Sequence, residues 1–225
     1  MTGFYQELCH QTMAAQKMLS EIPVIRQAMT GDITLNQYQK FLEQAYHHVK
    51  HTVPLLMACG SRIGNQYPWL QSAIAEYIEE ELGHEEWILS DIRYTGGDAE
   101  AVRTGAPAHP TEMMVAYAYH QIDRGNPIGF FGMVHVLEGT SVALATQAAG
   151  AIQLSLDLPD QAFSYLRSHG SLDQEHVVFF ENLMNRVMNH GDQREILHCA
   201  GRFYQLYGDI FRSLSVNQEE IEYAE

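Results

Sequence analysis

Cysteine and lysine are scarce in this chain, and alternating strand-like stretches are missing. Three cysteines, Cys9, Cys59 and Cys199, lie far apart in 225 residues. Three cannot all pair and no C-x-x-C occurs, so neither a disulfide framework nor a thiolate zinc site is expected. Lysine occurs only at Lys17, Lys40 and Lys50, and Lys plus Arg total 13 against 28 Asp plus Glu, a formal net charge of -15. A basic footprint for phosphates is absent, so nucleic acid is not an expected partner. Met1 to His10 holds no basic region leading into an apolar run, so no signal peptide is expected. The thiol count and that N-terminus together point to the cytoplasm. With 46% apolar and 18% charged residues the composition is ordinary for a globular protein. The length suits one domain, 1–225, with a sizeable core.

Histidine is plentiful by contrast, with twelve copies. Glycine and proline fall between long periodic stretches, which predicts an all-α protein of about seven helices. The first runs from about Tyr5 to Met29, interrupted near Pro23. Thr34 and Gln37 form a capping-box pair opening a second helix to about Cys59. A third spans Trp69 to Tyr94. Ala99 to Pro110 reads as irregular, followed by a fourth helix, Thr111 to Asp123. The fifth covers about Ile128 to Ile152. Pro159 suits the first turn of a sixth, running to Asn189. Asp192 and Glu195 resemble a capping box for a seventh, reaching about Leu214. A bundle follows from these elements.

The fifth helix carries one charged side chain, Glu138. Its apolar length would span a membrane, but it lacks flanking Lys/Arg clusters and its neighbours are amphipathic. The central helix of a bundle is apolar all round for another reason, and that is the reading here, with no membrane partner. Gly132 and Gly139 would permit close helix contact along one side. Glu138 then sits where an ionised carboxylate is expensive unless paired or metal-bound.

Two further helices carry polar residues in apolar phase. Ile74, Tyr77, Ile78, Glu81, His84 and Ile88 recur at three- and four-residue steps, so the E-x-x-H pair Glu81 and His84 shares the apolar stripe, while the rest of the acidic run reads as a solvated face. His169, Asp173 and His176 form an H-x-x-x-D-x-x-H array within roughly 60° of one another. Ala162, Tyr165, Leu166, Phe180 and Leu183 share that phase. On the second helix His48 falls in the apolar stripe and His47 at its margin, where a lone histidine is ordinarily a satisfied core residue. His135 precedes Glu138 by one turn. Tyr77 and Tyr165 lie one turn from proposed ligands, where they pack the core or hydrogen-bond to ligands or substrate.

Glu81, His84, Glu138, His169, Asp173 and His176 make three imidazoles and three carboxylates. Six nitrogen and oxygen donors suit two divalent metals with open positions, as in non-heme iron sites, and bundle cores build such sites from facing helices.

The order of elements, with E-x-x-H on the third helix, a Glu on an apolar helix about fifty residues later and H-x-x-x-D-x-x-H about thirty after that, resembles the heme-oxygenase-like diiron oxidases. These relate in fold to TenA-type thiaminases and heme oxygenase. The resemblance spans nearly the whole chain. It implies a seven-helix bundle of the heme oxygenase/TenA-like type, and makes those six residues the matching positions for two Fe ions, with Mn as the alternative. It also implies O2 as co-substrate and a small organic acid or amino-acid-like substrate.

Where the family often adds a carboxylate on the second helix, His47 and His48 stand instead, with Glu43 one turn earlier. Gln16 occupies the place of a heme-ligating histidine in the stretch from Thr12, so no heme is expected. No cysteine lies between Cys59 and Cys199, where a TenA thiaminase carries its nucleophile. The alternative is a metal-independent TenA-like hydrolase or small-molecule binding protein with a pocket of His48, Tyr77, Glu138 and Tyr165. Arg26, Arg62, Arg93, Arg124 and Arg167 are candidate carboxylate clamps, and a homodimer is the expected assembly.

Overall fold

The computed structural model describes residues 3–215, excepting the side chains of residues 170–175. Among the described residues the chain is all-α, without strands, and eleven α-helical segments stand where seven were expected. Each extra boundary has a local cause.

Pro23 opens α2 (Pro23–Thr30) and separates it from α1 (Phe4–Ser20). The capping box at Thr34 forms as expected and starts α3 (Leu35–Val49), with Gln37 N–H donating to Thr34 Oγ1 at 3.2 Å and Thr34 N–H to Gln37 Oε1 at 2.9 Å. The second expected helix nevertheless breaks, resuming as α4 (Thr52–Ile63). Pro54 is the reason: it offers no N–H to the Lys50 carbonyl and its ring would strike that group.

The third expected helix divides into α5 (Pro68–Glu81) and α6 (His84–Tyr94). Leu82 is extended there and Gly83 takes φ +88°, a left-handed value that glycine alone adopts at no steric cost. The expected irregular stretch contains α7 (Ala99–Thr104), whose first N–H groups donate to Asp98 at 3.0 Å. Next come α8 (His109–Arg124) and, after a 3-10 turn over Pro127–Phe130, α9 (Phe131–Leu156).

The last two helices are α10 (Ser164–Met184) and α11 (His190–Ser213), and both start away from the expected residues. Pro159 precedes a 3-10 turn, Asp160–Phe163, instead of opening α10. Asn189, not Asp192, caps α11 by accepting from Gly191 and Asp192 N–H. Asp192 is drawn off instead by Asn126 Nδ2, at 2.6 Å, and by the Tyr67 hydroxyl.

At the centre lies α9, packed between α10, α11 and α2. With the preceding turn it is long and apolar enough to cross a membrane by composition, yet 56% of that apolar window is buried inside the fold. Gly132 permits the close approach: a Cβ there would meet Ala200 N at 2.5 Å and Ile196 O at 2.8 Å. Gly139, expected to act with it, has nothing within 4 Å of such a Cβ, so no close approach there requires a glycine.

Candidate metal centre

Three of the six expected ligands converge directly. Glu81, His84 and His169 each bring a donor atom within 4.8 Å of the others. Glu81 closes α5 and His84 opens α6, so the turn at Gly83 sets their relative position. Glu81 Oε2 lies 3.1 Å from His84 Nδ1, with the side chains 12% and 5% exposed. Burial pushes the Glu81 carboxyl up, but the hydrogen bond and charge of His84, with the charges of His169 and His176, outweigh it and hold the group below its ordinary value. An ionised carboxylate among imidazoles is the state that binds a cation.

The imidazoles are held by their surroundings. His84 stacks on Trp87 with ring centroids 4.0 Å apart and meets the His169 ring edge-on at 5.0 Å. His169 Nδ1 lies 3.1 Å from the Tyr165 carbonyl. Donation to that carbonyl places the ring N–H on Nδ1 and leaves Nε2 as the nitrogen with the lone pair, the usual support of a metal-binding histidine.

His176 is buried at the same end of the bundle, with Nε2 3.0 Å from Glu80 Oε2. Glu80 was expected on the solvated face and instead reaches α10. Its neighbours Glu76 and Glu79 carry the same sequence signal, because which acid meets α10 depends on how the two helices lie together. The Asp173 side chain lies outside the described residues.

Glu138 comes from α9 and borders one cavity with His48, Tyr77, Glu81, Tyr165 and His169, lined further by apolar side chains including Leu55, Phe130, Met133 and Leu137. Burial, then the charge and hydrogen bonding of Glu138, push the Tyr77 phenol well above its ordinary value. His48 is held neutral, at about 3, by burial first and then by His169, His51 and His47. Its Nδ1 is buried without a hydrogen-bond partner among the described residues.

Two expected neighbours face elsewhere. His47 does not line this cavity, and its Nδ1 lies 3.1 Å from Lys50 Nζ. His135 Nε2 lies 2.9 Å from Thr12 Oγ1, between the rings of Phe180 and Tyr204, and borders a separate cavity that Glu138 also touches. None of the five candidate arginines lines the central cavity. Arg62 pairs with Asp123 at 2.6 Å and Arg167 with Asp160 at 3.0 Å.

The converging donors suit a divalent metal of the iron or manganese kind by ligand type. Thiols take no part: Cys59 donates to the Pro127 carbonyl and Cys199 lies beside Tyr117 and Glu195.

Comparison with known proteins agrees with this chemistry. A family model described as iron-containing redox enzyme matches residues 39–208, and the chain belongs to that family. No curated protein matches. Among solved structures, a domain with a heme oxygenase-like fold from Shewanella denitrificans has a TM-score of 0.87 at 22% identity, covering 100% of this chain and 97% of its own. A TenA homolog from Pseudomonas syringae pv. tomato gives 0.77 at 11% identity, over 94% of this chain and 92% of its own. Heme oxygenase-1 from the cyanobacterium Synechocystis, in complex with heme, gives 0.74 at 11% identity, over 98% and 96%. The bundle is therefore of the heme oxygenase/TenA-like type, and the protein is an oxidoreductase by family.

Proposed function

We propose that this protein is a non-heme, O2-dependent diiron oxidase or oxygenase acting on a small organic acid or amino-acid-like molecule. Glu81, His84 and Glu138 would hold one side of the metal pair, and His169, Asp173 and His176 the other, with Mn as the alternative to Fe. The reading is carried by the convergence of Glu81, His84 and His169, of which Glu81 and His169 line the cavity that Glu138 borders. The metal pair, when bound, supplies the route for electrons from substrate to O2.

The chain's own residues set the conditions. The Tyr165 carbonyl orients His169, and the Tyr77 phenol stays protonated beside Glu138. Leu55, Phe130, Met133 and Leu137 give the cavity an apolar lining beside these polar groups. The proposal takes a homodimer in the cytoplasm as the working form, with neither membrane nor nucleic acid as partner.

An anaerobic Fe(II) titration of metal-stripped protein, followed by O2 with the visible spectrum recorded, tests this. Binding near two irons per chain and a transient absorption band are expected. Iron at background level would sink the proposal.

A second reading has one observation in its favour. His48, Tyr77, Glu138 and Tyr165 line a single cavity, as a metal-independent TenA-like hydrolase or binding protein would need. It requires ligand affinity that survives chelation.

A further inference from the structure

A wider recess shares His84 with the converging donors. Glu76 and Glu80 line it from α5, His84 from α6 and His176 from α10, beside Trp87 and Phe179. It offers about 470 Å³, against about 80 Å³ in the central cavity. Glu81 and His169 border the central cavity and not the recess, whereas His84 lines the recess and not the cavity. His84 therefore links the two.

The donors of the recess are open to a cation. Glu80 meets His176 at 3.0 Å with its side chain still 44% exposed. Glu76 lies one helical turn earlier and is exposed. His84 is buried, with Nδ1 3.1 Å from Glu81 Oε2. Donation to that carboxylate leaves the lone pair on Nε2, which makes no hydrogen bond among the described residues. No lysine or arginine among them lines the recess. Two carboxylates and two imidazoles without a counter-cation are nitrogen and oxygen donors for a divalent metal. A formal net charge of -15 draws such ions to the surface. A metal ion arrives with its waters, and binding at the centre requires protein donors to replace them. Solvent-exposed carboxylates are placed to begin that exchange.

We propose that Glu76, Glu80, His84 and His176 form an outer cation site, which takes a divalent metal ion from solvent and passes it by way of His84 to Glu81 and His169. The transfer rests on the metal-centre reading; the outer site does not.

Co(II) is the probe, because it takes the same donors. Trp87 stacks on His84, so its fluorescence reports filling of the recess, and Trp69→Phe removes the only other tryptophan. Stopped-flow mixing of W69F protein with Co(II) should give a fast quench whose rate rises with metal concentration and a slower one that does not. Glu76→Gln should slow uptake roughly tenfold, the low end of electrostatic steering. It should slow chelator-driven release by the same factor and leave final metal content unchanged, because Glu76 does not hold the metal once it is inside. Glu79→Gln removes the same charge from α5 outside the recess and should load as the parent does. His169→Ala should keep the fast phase and lose the slow one.

Parent-rate uptake in E76Q, equal slowing by E79Q, or loss of the fast phase in H169A would overturn the outer site, as would the absence of any quench. A fast phase without a slow one in the parent would support the outer site and count against the metal-centre reading.

Discussion

The Asp91 carboxylate of α6 accepts the backbone N–H of Tyr165 at 2.9 Å, and that of Ser164 at 3.0 Å, so one buried side chain caps α10 from a different helix. Asp91 is seven residues after His84, and Tyr165 is four before His169. The contact therefore ties the helices that carry two of the three converging donors.

Asp91→Ala should leave two N–H groups unsatisfied in the interior. A loss of about 2–3 kcal/mol is expected, read as a lower urea midpoint, with weaker iron retention because α10 is no longer held against α6. Asp91→Asn keeps one acceptor but turns an NH2 towards the other N–H, so it should fall between parent and D91A. Parent-like stability in D91A would show that the cap contributes nothing.

Metal analysis separates the roles of the buried imidazoles. His169→Ala and His176→Ala should each lower the iron content below two per chain and abolish turnover. Glu80→Gln changes only the group that meets His176, and supporting partners of this kind typically weaken metal retention by about tenfold or more. Iron stoichiometry should hold in E80Q while chelators strip it faster. Full iron in H176A would remove that residue from the centre.

Two glycines on α9 should respond in opposite directions. Gly132→Ala drives a Cβ onto the backbone of α11, and the forced separation should cost about 1–3 kcal/mol. Gly139→Ala meets nothing and gains helix propensity, up to about 1 kcal/mol. Thermal melts of the two variants read the contrast directly; equal shifts would contradict the packing.

Acid should destabilise the protein below about pH 6.5. Burial, as the largest cause in each, lowers His47 to about 4, His48 to about 3 and His135 to about 4, against 6.5 for an unperturbed histidine. In that window the unfolded chain binds more protons, so stability falls as pH drops through it. Asp91 acts the other way: burial raises it from 3.8 to about 6, so the folded state takes its proton first and gains stability as pH falls from about 6 to 3.8. Three groups outweigh one. Urea midpoints between pH 7 and pH 5 should decline, and less steeply in His135→Gln.

Much was legible because it is local. The capping box of Thr34 and Gln37 needs only three residues, and α9 announces its central place by being apolar on every side. The inward phase of Glu81, His84 and His169 follows from spacing along the chain. The family resemblance rested on those same positions.

Other features required the assembled bundle. Phase alone treated 69–94 as one helix, since a single glycine is tolerable inside a helix, and the left-handed turn at Gly83 is settled by where α5 and α6 must pack. Asp192 looked like a cap until Asn126 and Tyr67 claimed it in three dimensions. Asp91 and Glu80 carry ordinary acidic signals, and only α10 lying against them gives each its partner. Sequence periodicity thus determined which side chains turn inward. Tertiary packing decided which of them meet, because distances between helices depend on the small residues and breaks that let backbones approach.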